Sequence, residues 1–183
     1  MIAAPNWRAT AAASRDGVCL HLLVMFFGTV ELCSGVASDR KVSPMARTLA
    51  DLTSQNTSLT LTQLQNFFNA SNAIMWPYVP SPSPPPNQVN TTITELYVDP
   101  NTFAARVKWS VGSAPHGQGV TLRIPSQLQT GNTYLLLSEV NFQYVPTIGY
   151  VMAKTGVNLS DVAYTRPRQS LCVMYNTTVF TTY

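Results

Sequence analysis

A long apolar segment near the N-terminus limits the possible folds of this chain more than any other part of it. Val18–Val30 is a run of 13 residues that is almost continuously apolar; Glu31 interrupts it and Leu32–Ala37 resume it. Counted through Ala37 the segment has 20 residues, which as a helix would be about 30 Å long, the thickness of a bilayer's hydrocarbon core. We therefore predict a membrane helix over residues 18–37, preceded by an N-terminal segment over residues 1–17.

Two other interpretations of this segment remain open. The 13-residue run alone has the length of the apolar region of a signal peptide, and Gly35-Val-Ala37 before Ser38 supplies the small residues that a cleavage site needs. A buried core helix of a soluble protein would have a similar length. Charge does not decide the orientation, because basic residues flank both ends of the segment. They are Arg8 and Arg15 before it, and Arg40, Lys41 and Arg47 after it.

Residues 38–76 have the pattern of a helical region that follows the membrane helix. Ser43-Pro44 predicts a helix start, because Ser can cap the free N–H groups and Pro suits the first helical position. Thr60 with Gln63 forms a capping-box pattern that predicts a second helix, and Trp76-Pro77 predicts its end. The proline-dense stretch that follows predicts an extended linker over residues 77–89.

From residue 90 to residue 183 the apolar pattern becomes that of β-strands. In the clearest strand, Phe103–Val111, apolar and polar residues alternate, which predicts that Trp109 faces a core together with Val107 and Val111. Short loops between neighbouring strands predict an antiparallel sheet. The predicted fold class is therefore α+β, with an N-terminal transmembrane helix, a short helical region and a mainly antiparallel β-sheet domain. Further strands are predicted over Thr91–Val98, Val120–Ile124, Tyr134–Tyr144 and Leu171–Tyr175.

Composition and the titratable residues argue against enzymatic chemistry. Only 10% of residues are charged and the formal net charge is +3, with no cluster of basic residues that would indicate nucleic-acid binding. The two histidines, His21 and His116, have no second metal ligand at a useful spacing, and the three cysteines allow at most one disulfide. We therefore expect no catalytic residues, no cofactor, no metal and no small-molecule substrate.

Two places carry residues suited to contacts with a partner. Glu31 lies within the apolar segment, where a carboxylate at the bilayer centre costs roughly 2.5–3.5 kcal/mol. It would either pair with a partner helix or lie at the outer headgroup level. Arg166 and Arg168 flank Pro167, which fixes the backbone between the two guanidinium groups. Such a pair suits carboxylates of a partner subunit, and a solvated strand end explains it equally well.

An ordered series of short motifs resembles a known family. The motifs are Phe27-Gly-Thr-Val-Glu-Leu32, Arg40-Lys-Val42, Ala46–Gln55, Leu122-Arg-Ile-Pro125, Tyr144-Val-Pro146 and Tyr164-Thr-Arg-Pro-Arg168. In this order they resemble the TadE/TadG-like pilus assembly proteins, which are minor pilins or pseudopilins of the bacterial tight-adherence secretion system. The resemblance extends from about residue 26 to residue 173, most of the chain.

The resemblance implies a non-enzymatic role in building or anchoring an adhesive pilus. It implies a single-pass protein of the bacterial inner membrane, with its C-terminal domain in the periplasm or at the cell surface. The implied partners are the major pilin, other minor pilins and the inner-membrane assembly platform. One position departs from related pilin-like proteins, in which a Glu commonly stands five residues after the Gly of the prepilin peptidase site. Five residues after Gly17 this chain has Leu22. The alternative function is a secreted or periplasmic β-rich binding or adhesin module, released from a cleaved signal peptide.

Overall fold

The computed structural model describes residues 7–76, 78, 89–145 and 156–176, and for residues 7–16 it describes the helical backbone alone. The linker predicted over residues 77–89 therefore lies outside the described residues, except for Tyr78 and Val89. The order of elements confirms the α+β fold class. The helices are α1 (Trp7–Ser54) and α2 (Leu61–Ile74), with a short 3₁₀ helix at Ser126–Leu128. The strands are β1 (Ser58–Leu59), β2 (Val89–Val98), β3 (Ala105–Gly112), β4 (Thr121–Leu122), β5 (Thr133–Tyr144), β6 (Val157–Thr165) and β7 (Met174–Tyr175).

Helix α1 is one continuous helix of 48 residues, so the helix start predicted at Ser43-Pro44 is wrong. Pro44 lies inside α1 with its side chain exposed. An internal proline costs about 3 kcal/mol because it removes a hydrogen bond and crowds the preceding turn. Around it, Val42, Met45 and Leu49 are fully buried, and each contributes about 1.5–3 kcal/mol. Burial against the sheet therefore outweighs the cost of the proline.

Helix α2 begins where the sequence predicts and ends within two residues of the predicted end. The Thr60 side chain accepts a hydrogen bond from the Gln63 N–H, and the Gln63 side chain accepts one from the Thr60 N–H at 2.9 Å, so both halves of the capping box form. At the other end, the Lys41 ammonium of α1 donates to the carbonyl oxygens of Ile74 and Trp76, at 3.2 and 2.6 Å. The end of α2 is thereby fixed beside the middle of α1.

Five strands form one sheet in the order β4-β3-β2-β5-β6, with every neighbouring pair antiparallel, as predicted. β1 and β7 form a separate parallel pair of two residues each. The strand predicted over Leu171–Tyr175 is therefore shorter than expected and lies outside the main sheet. The strand predicted over Val120–Ile124 is likewise reduced to the two residues of β4.

Strand β6 was not predicted from the sequence. It lies at the edge of the sheet beside β5 and packs against α1. Its central residue, Asp161, interrupts the apolar alternation that would have indicated a strand. In the fold this carboxylate faces α1, where a hydrogen bond from Ser43 lowers its pKa and Arg47 adds a favourable charge. A partner distant in sequence therefore makes a charged residue compatible with this strand.

A β-bulge divides the face predicted for β3. Trp109 and Val107 pair with adjacent residues of β2, which leaves Lys108 as an extra residue in β3. Because side chains alternate along a strand, this one-residue shift places Trp109 and Val107 on opposite faces of the sheet. The prediction that Trp109 is buried on the same face as Val111 is confirmed, and the prediction that Val107 shares that face is wrong.

The sheet has a core on each face. The front core lies between the sheet, the two helices and the C-terminal segment, which we define as residues 166–176. The back core lies between the sheet and the chain around β4 and the 3₁₀ helix. The C-terminal half of α1 is therefore an integral part of the β domain. The front core contains Val42, Met45, Ala46, Leu49, Leu59, Leu64, Met75, Ile93, Trp109, Leu136, Val140, Phe142 and Val173. The back core contains Leu96, Val98, Ala105, Val107, Ile124, Leu135 and Leu137.

Candidate functional site

Residues 17–37 form the exposed half of α1, which extends beyond the sheet with its apolar side chains uncovered. Eleven large apolar residues there are 41–71% exposed, and six consecutive ones, Leu22–Phe27, occupy all sides of the helix. A helix that is apolar all round needs apolar surroundings such as a bilayer. Among the described residues, α1 is the one helix that is long and apolar enough to cross a membrane. The segment thus has the length and the apolar character that the sequence predicts.

Three polar side chains in the exposed half of α1 have hydrogen-bond partners within the helix. The hydroxyls of Thr29 and Ser34 donate to carbonyl oxygens in the preceding turn, at 2.8 and 3.0 Å. The Nδ1 atom of His21 lies 3.1 Å from a carbonyl oxygen four residues earlier. In hydrocarbon a polar group has no water to bond, so internal partners of this kind lower the cost of placing the helix in a bilayer.

The exposed half of α1 meets the β domain at Glu31, Gly35 and Tyr144, which we call the junction. The Tyr144 hydroxyl, at the end of β5, donates to the Glu31 carboxylate at 3.1 Å. The Tyr144 ring lies over Gly35, 3.6 Å from the position that a Cβ would occupy there. Burial and the nearby Glu31 carboxylate raise the pKa of Tyr144, so its hydroxyl stays protonated and able to donate. Glu31 thus has a partner in its own chain, which the sequence did not reveal.

Arg166 and Arg168 contact different parts of their own chain. The Arg168 guanidinium pairs with Asp51 of α1 at 2.5 Å, and its backbone N–H donates to the Ser54 carbonyl at the end of that helix, at 2.9 Å. Arg166 donates to a hydroxyl of the loop before β5, at 3.3 Å. Both arginines are exposed and Pro167 is half-buried, and exposed ion pairs contribute about 0–1 kcal/mol. Arg168 fastens the C-terminal segment to the end of α1, and Arg166 fastens it to the loop before β5. Contact of these residues with a partner subunit stays a prediction.

A buried carboxylate that the sequence analysis missed holds the C-terminal segment on the sheet. Glu95 in β2 is 3% exposed and accepts a hydrogen bond from the Val173 N–H at 2.6 Å. The indole N–H of Trp109 donates to the Val173 carbonyl at 2.8 Å, and its ring stacks on Tyr175. We call Glu95, Trp109 and Val173 the peptide clamp. Its sequence signal is a single charge within the otherwise uncharged strand β2.

Burial dominates the electrostatics of the peptide clamp. It raises the pKa of Glu95 from 4.5 to about 7, and the hydrogen bond from Val173 is the largest of the effects that oppose this rise. Desolvation disfavours the charged form of a carboxyl group, whereas a donated hydrogen bond favours it. Glu95 therefore titrates near neutral pH while it holds the backbone of the C-terminal segment.

On the back face of the sheet, a pair of polar side chains fastens a loop. His116 lies in the loop after β3, and its Nε2 is 2.7 Å from the Glu139 carboxylate. The Ser110 hydroxyl accepts from the His116 backbone N–H at 3.0 Å and lies 2.7 Å from the Thr94 hydroxyl. These contacts join the serine to the loop backbone and not to the imidazole, so they do not form the nucleophile–base pair that covalent catalysis uses. Within the described parts of the chain, no group of three or more His, Cys, Asp or Glu could hold a metal.

Comparisons with known proteins bear on the identity of the chain. Neither a protein-family model, nor a curated protein, nor a solved structure matches it. The similarity of its motifs to TadE/TadG-like proteins therefore stays a prediction.

Proposed function

We propose that this chain is a non-enzymatic, membrane-anchored pilus assembly protein, a minor pilin or pseudopilin of a tight-adherence secretion system. The observation that carries the proposal is the division of one continuous helix into two halves. The exposed half of α1 is apolar on all sides, and the other half supplies Val42, Met45 and Leu49 to the front core. Such a helix joins a β domain in the periplasm or at the cell surface to the bacterial inner membrane without a flexible linker.

The same helix suits assembly into a fibre. In the bilayer, lipid chains would surround the exposed half of α1; in a fibre, the equivalent halves of neighbouring subunits would cover one another. Leaving eleven large apolar side chains in water would instead cost about 1.5–3 kcal/mol for each of them. The partners expected on this basis are proteins that present similar helices. The resemblance implies the major pilin, other minor pilins and the inner-membrane assembly platform.

The contacts of the junction argue against the alternative of a secreted binding module. Cleavage after Ala37 would cut α1 within the helix and remove both the Glu31–Tyr144 hydrogen bond and the Gly35 contact. The new N-terminal residue, Ser38, is fully buried in the intact chain, where its hydroxyl donates to the Ser34 carbonyl at 2.9 Å, and cleavage would remove this partner as well. These contacts favour a helix that is retained.

Deletion and complementation in the native bacterium test the pilus role. Loss of the gene should strongly reduce surface pili, counted by electron microscopy, and the wild-type gene should restore them. A Leu23→Glu, Phe26→Glu variant should fail to restore them, because two carboxylates at the centre of a membrane helix cost about 5–7 kcal/mol of insertion. The matched control is Leu61→Glu, Leu171→Glu, at exposed apolar positions outside that half of α1, and it should restore pili. Normal pili in the deletion strain would refute the proposal.

A further inference from the structure

The continuous apolar run of α1 is too short to cross a bilayer by itself. Val18–Val30 has 13 residues, or about 20 Å of helix, whereas the hydrocarbon core of a bilayer is about 30 Å thick. A segment of spanning length must therefore continue through Glu31 to about Ala37. These last two turns are the part of the exposed half of α1 that contacts the β domain.

One end of the β domain, where β5 ends and β6 begins, lies level with these turns. Tyr144 contacts both Glu31 and Gly35. Val157, the first residue of β6, pairs with Tyr144 across the sheet, so it lies at the same level. A bilayer that is spanned as far as Ala37 must therefore reach this end of the domain.

The end of α2 reaches nearly the same level. Its last carbonyl oxygens bind Lys41, only four residues beyond Ala37 in α1, which is about 6 Å along the helix. The Lys41 ammonium also lies 5.0 Å from the centre of the Tyr78 ring. The ends of α2 and β5 and the start of β6 thus lie beside α1 at this level, and we call this end of the domain the base.

The base exposes several large apolar side chains close together, which is unusual for a surface in contact with water. The described residues outside the exposed half of α1 include nine exposed large apolar side chains, and four of these lie at the base. Tyr78 and Tyr144 lie half-buried beside them. Trp and Tyr with a neighbouring Lys are the residues that collect at the interface between bilayer and water. The four are Trp76 at 60% exposed, Val157 at 56%, Val145 at 49% and Ile74 at 39%.

We propose that the base docks into the interfacial layer of the same bilayer that α1 crosses. The inference rests on the proposed membrane anchoring and adds the orientation of the domain. The occupant of this surface is the bilayer because the base lies directly beside α1 at the level where a span of sufficient length ends. Val18–Val30 alone does not span the whole hydrocarbon core, and docking supplies apolar surface for the remaining part. Trp76, Val145 and Val157 provide this surface beside the last turns of the span. It also places Glu31 under the Tyr144 hydroxyl at the edge of the hydrocarbon, where a carboxylate costs less.

Depth-dependent quenching of tryptophan fluorescence tests the docking with the full chain in vesicles of phosphatidylcholine and phosphatidylglycerol. The signal of Trp76 is the wild-type spectrum minus that of Trp76→Phe, in which the contributions of Trp7 and Trp109 cancel. The matched control adds Phe103→Trp to Trp76→Phe. Phe103 is 50% exposed in the turn between β2 and β3, about 30 Å from the base along β2. Alkaline carbonate extraction first establishes that the chain has inserted.

We expect lipids brominated near the headgroup end of their chains to quench Trp76 more strongly than lipids brominated near the bilayer centre. Aqueous iodide should quench it weakly, whereas the Phe103→Trp signal should respond to iodide alone. An inserted chain whose Trp76 responds to iodide and to neither bromolipid would overturn the docking and leave the membrane anchor intact. Protection of Trp76 from all three quenchers would also overturn it and would indicate a protein partner at the base. A chain that does not insert would overturn both proposals.

Discussion

Replacing Trp109 with Ala is expected to lower the free energy of unfolding by about 3–5 kcal/mol, the usual effect of removing a buried tryptophan. The side chain is 4% exposed in the front core. Its loss would also leave the Val173 carbonyl without the indole donor and would remove the stacking partner of Tyr175. Urea titration of the full chain in detergent, followed by near-ultraviolet circular dichroism, measures the change.

Two further variants separate the contributions at this position. Trp109→Phe keeps most of the apolar volume and loses the hydrogen bond to Val173, so its effect should be smaller than that of Trp109→Ala. Lys108→Ala alters the bulge residue next to it, which is half-buried with its ammonium over the ring of Tyr97. Its cost should be near 0.5–1 kcal/mol, the value of an exposed cation–π contact. Equal effects of Lys108→Ala and Trp109→Ala would show that the assigned face of β3 is wrong.

A change in pH is expected to alter the free energy of unfolding by a comparable amount, because Glu95 titrates. Burial raises its pKa from 4.5 to about 7 in the folded chain. Between these two values the folded state binds more protons than the unfolded state, so stability falls as pH rises through this range. The full shift corresponds to about 3 kcal/mol. The contribution of Glu95 is therefore most favourable below about pH 4.5 and is lost above about pH 7.

The comparison of Glu95→Gln with the wild-type chain isolates this effect. Gln keeps an oxygen to accept from the Val173 N–H and has no charge to desolvate, so the variant should gain stability relative to wild type as pH rises from 4.5 to 7. Asp99→Asn is the matched control, because hydrogen bonds from the backbone of Asn101 and Thr102 lower the pKa of Asp99 and keep its titration below that range. If the free energies of unfolding of Glu95→Gln and the wild-type chain differed by the same amount at every pH from 4.5 to 7, the assignment of Glu95 as a buried titrating carboxylate would be contradicted.

The features predicted correctly from the sequence depend on residues close together in the chain. The capping box joins Thr60 to a residue three positions later. Alternating apolar and polar residues mark β3, and a run that is apolar on both faces at its start marks β5, without reference to other elements. The apolar segment is recognisable from composition over 20 residues. These local signals are sufficient for the α+β class and for the length of the candidate membrane helix.

The features that were missed depend on distant contacts. Pro44 normally ends or begins a helix, and it is tolerated here because the sheet buries the turns on either side. The bulge at Lys108 needs the register of β2 before it can be recognised. Glu31 and Arg168 stand out in the sequence as suited to contacts with a partner, but Tyr144, which donates to Glu31, lies 113 residues away in sequence. No local pattern could have indicated that both residues contact their own chain.

Retention of α1 is the condition on which the anchoring and the docking both depend. With a C-terminal tag and expression in a bacterial host, the chain should sediment with membranes and resist carbonate extraction. Protease added to spheroplasts should digest its β domain. N-terminal sequencing of the extracted product shows whether α1 has been retained or cleaved. We predict an N-terminus that precedes Gly17, with the whole exposed half of α1 still attached. A soluble periplasmic product that begins at Ser38 would contradict the membrane anchor and favour the secreted module.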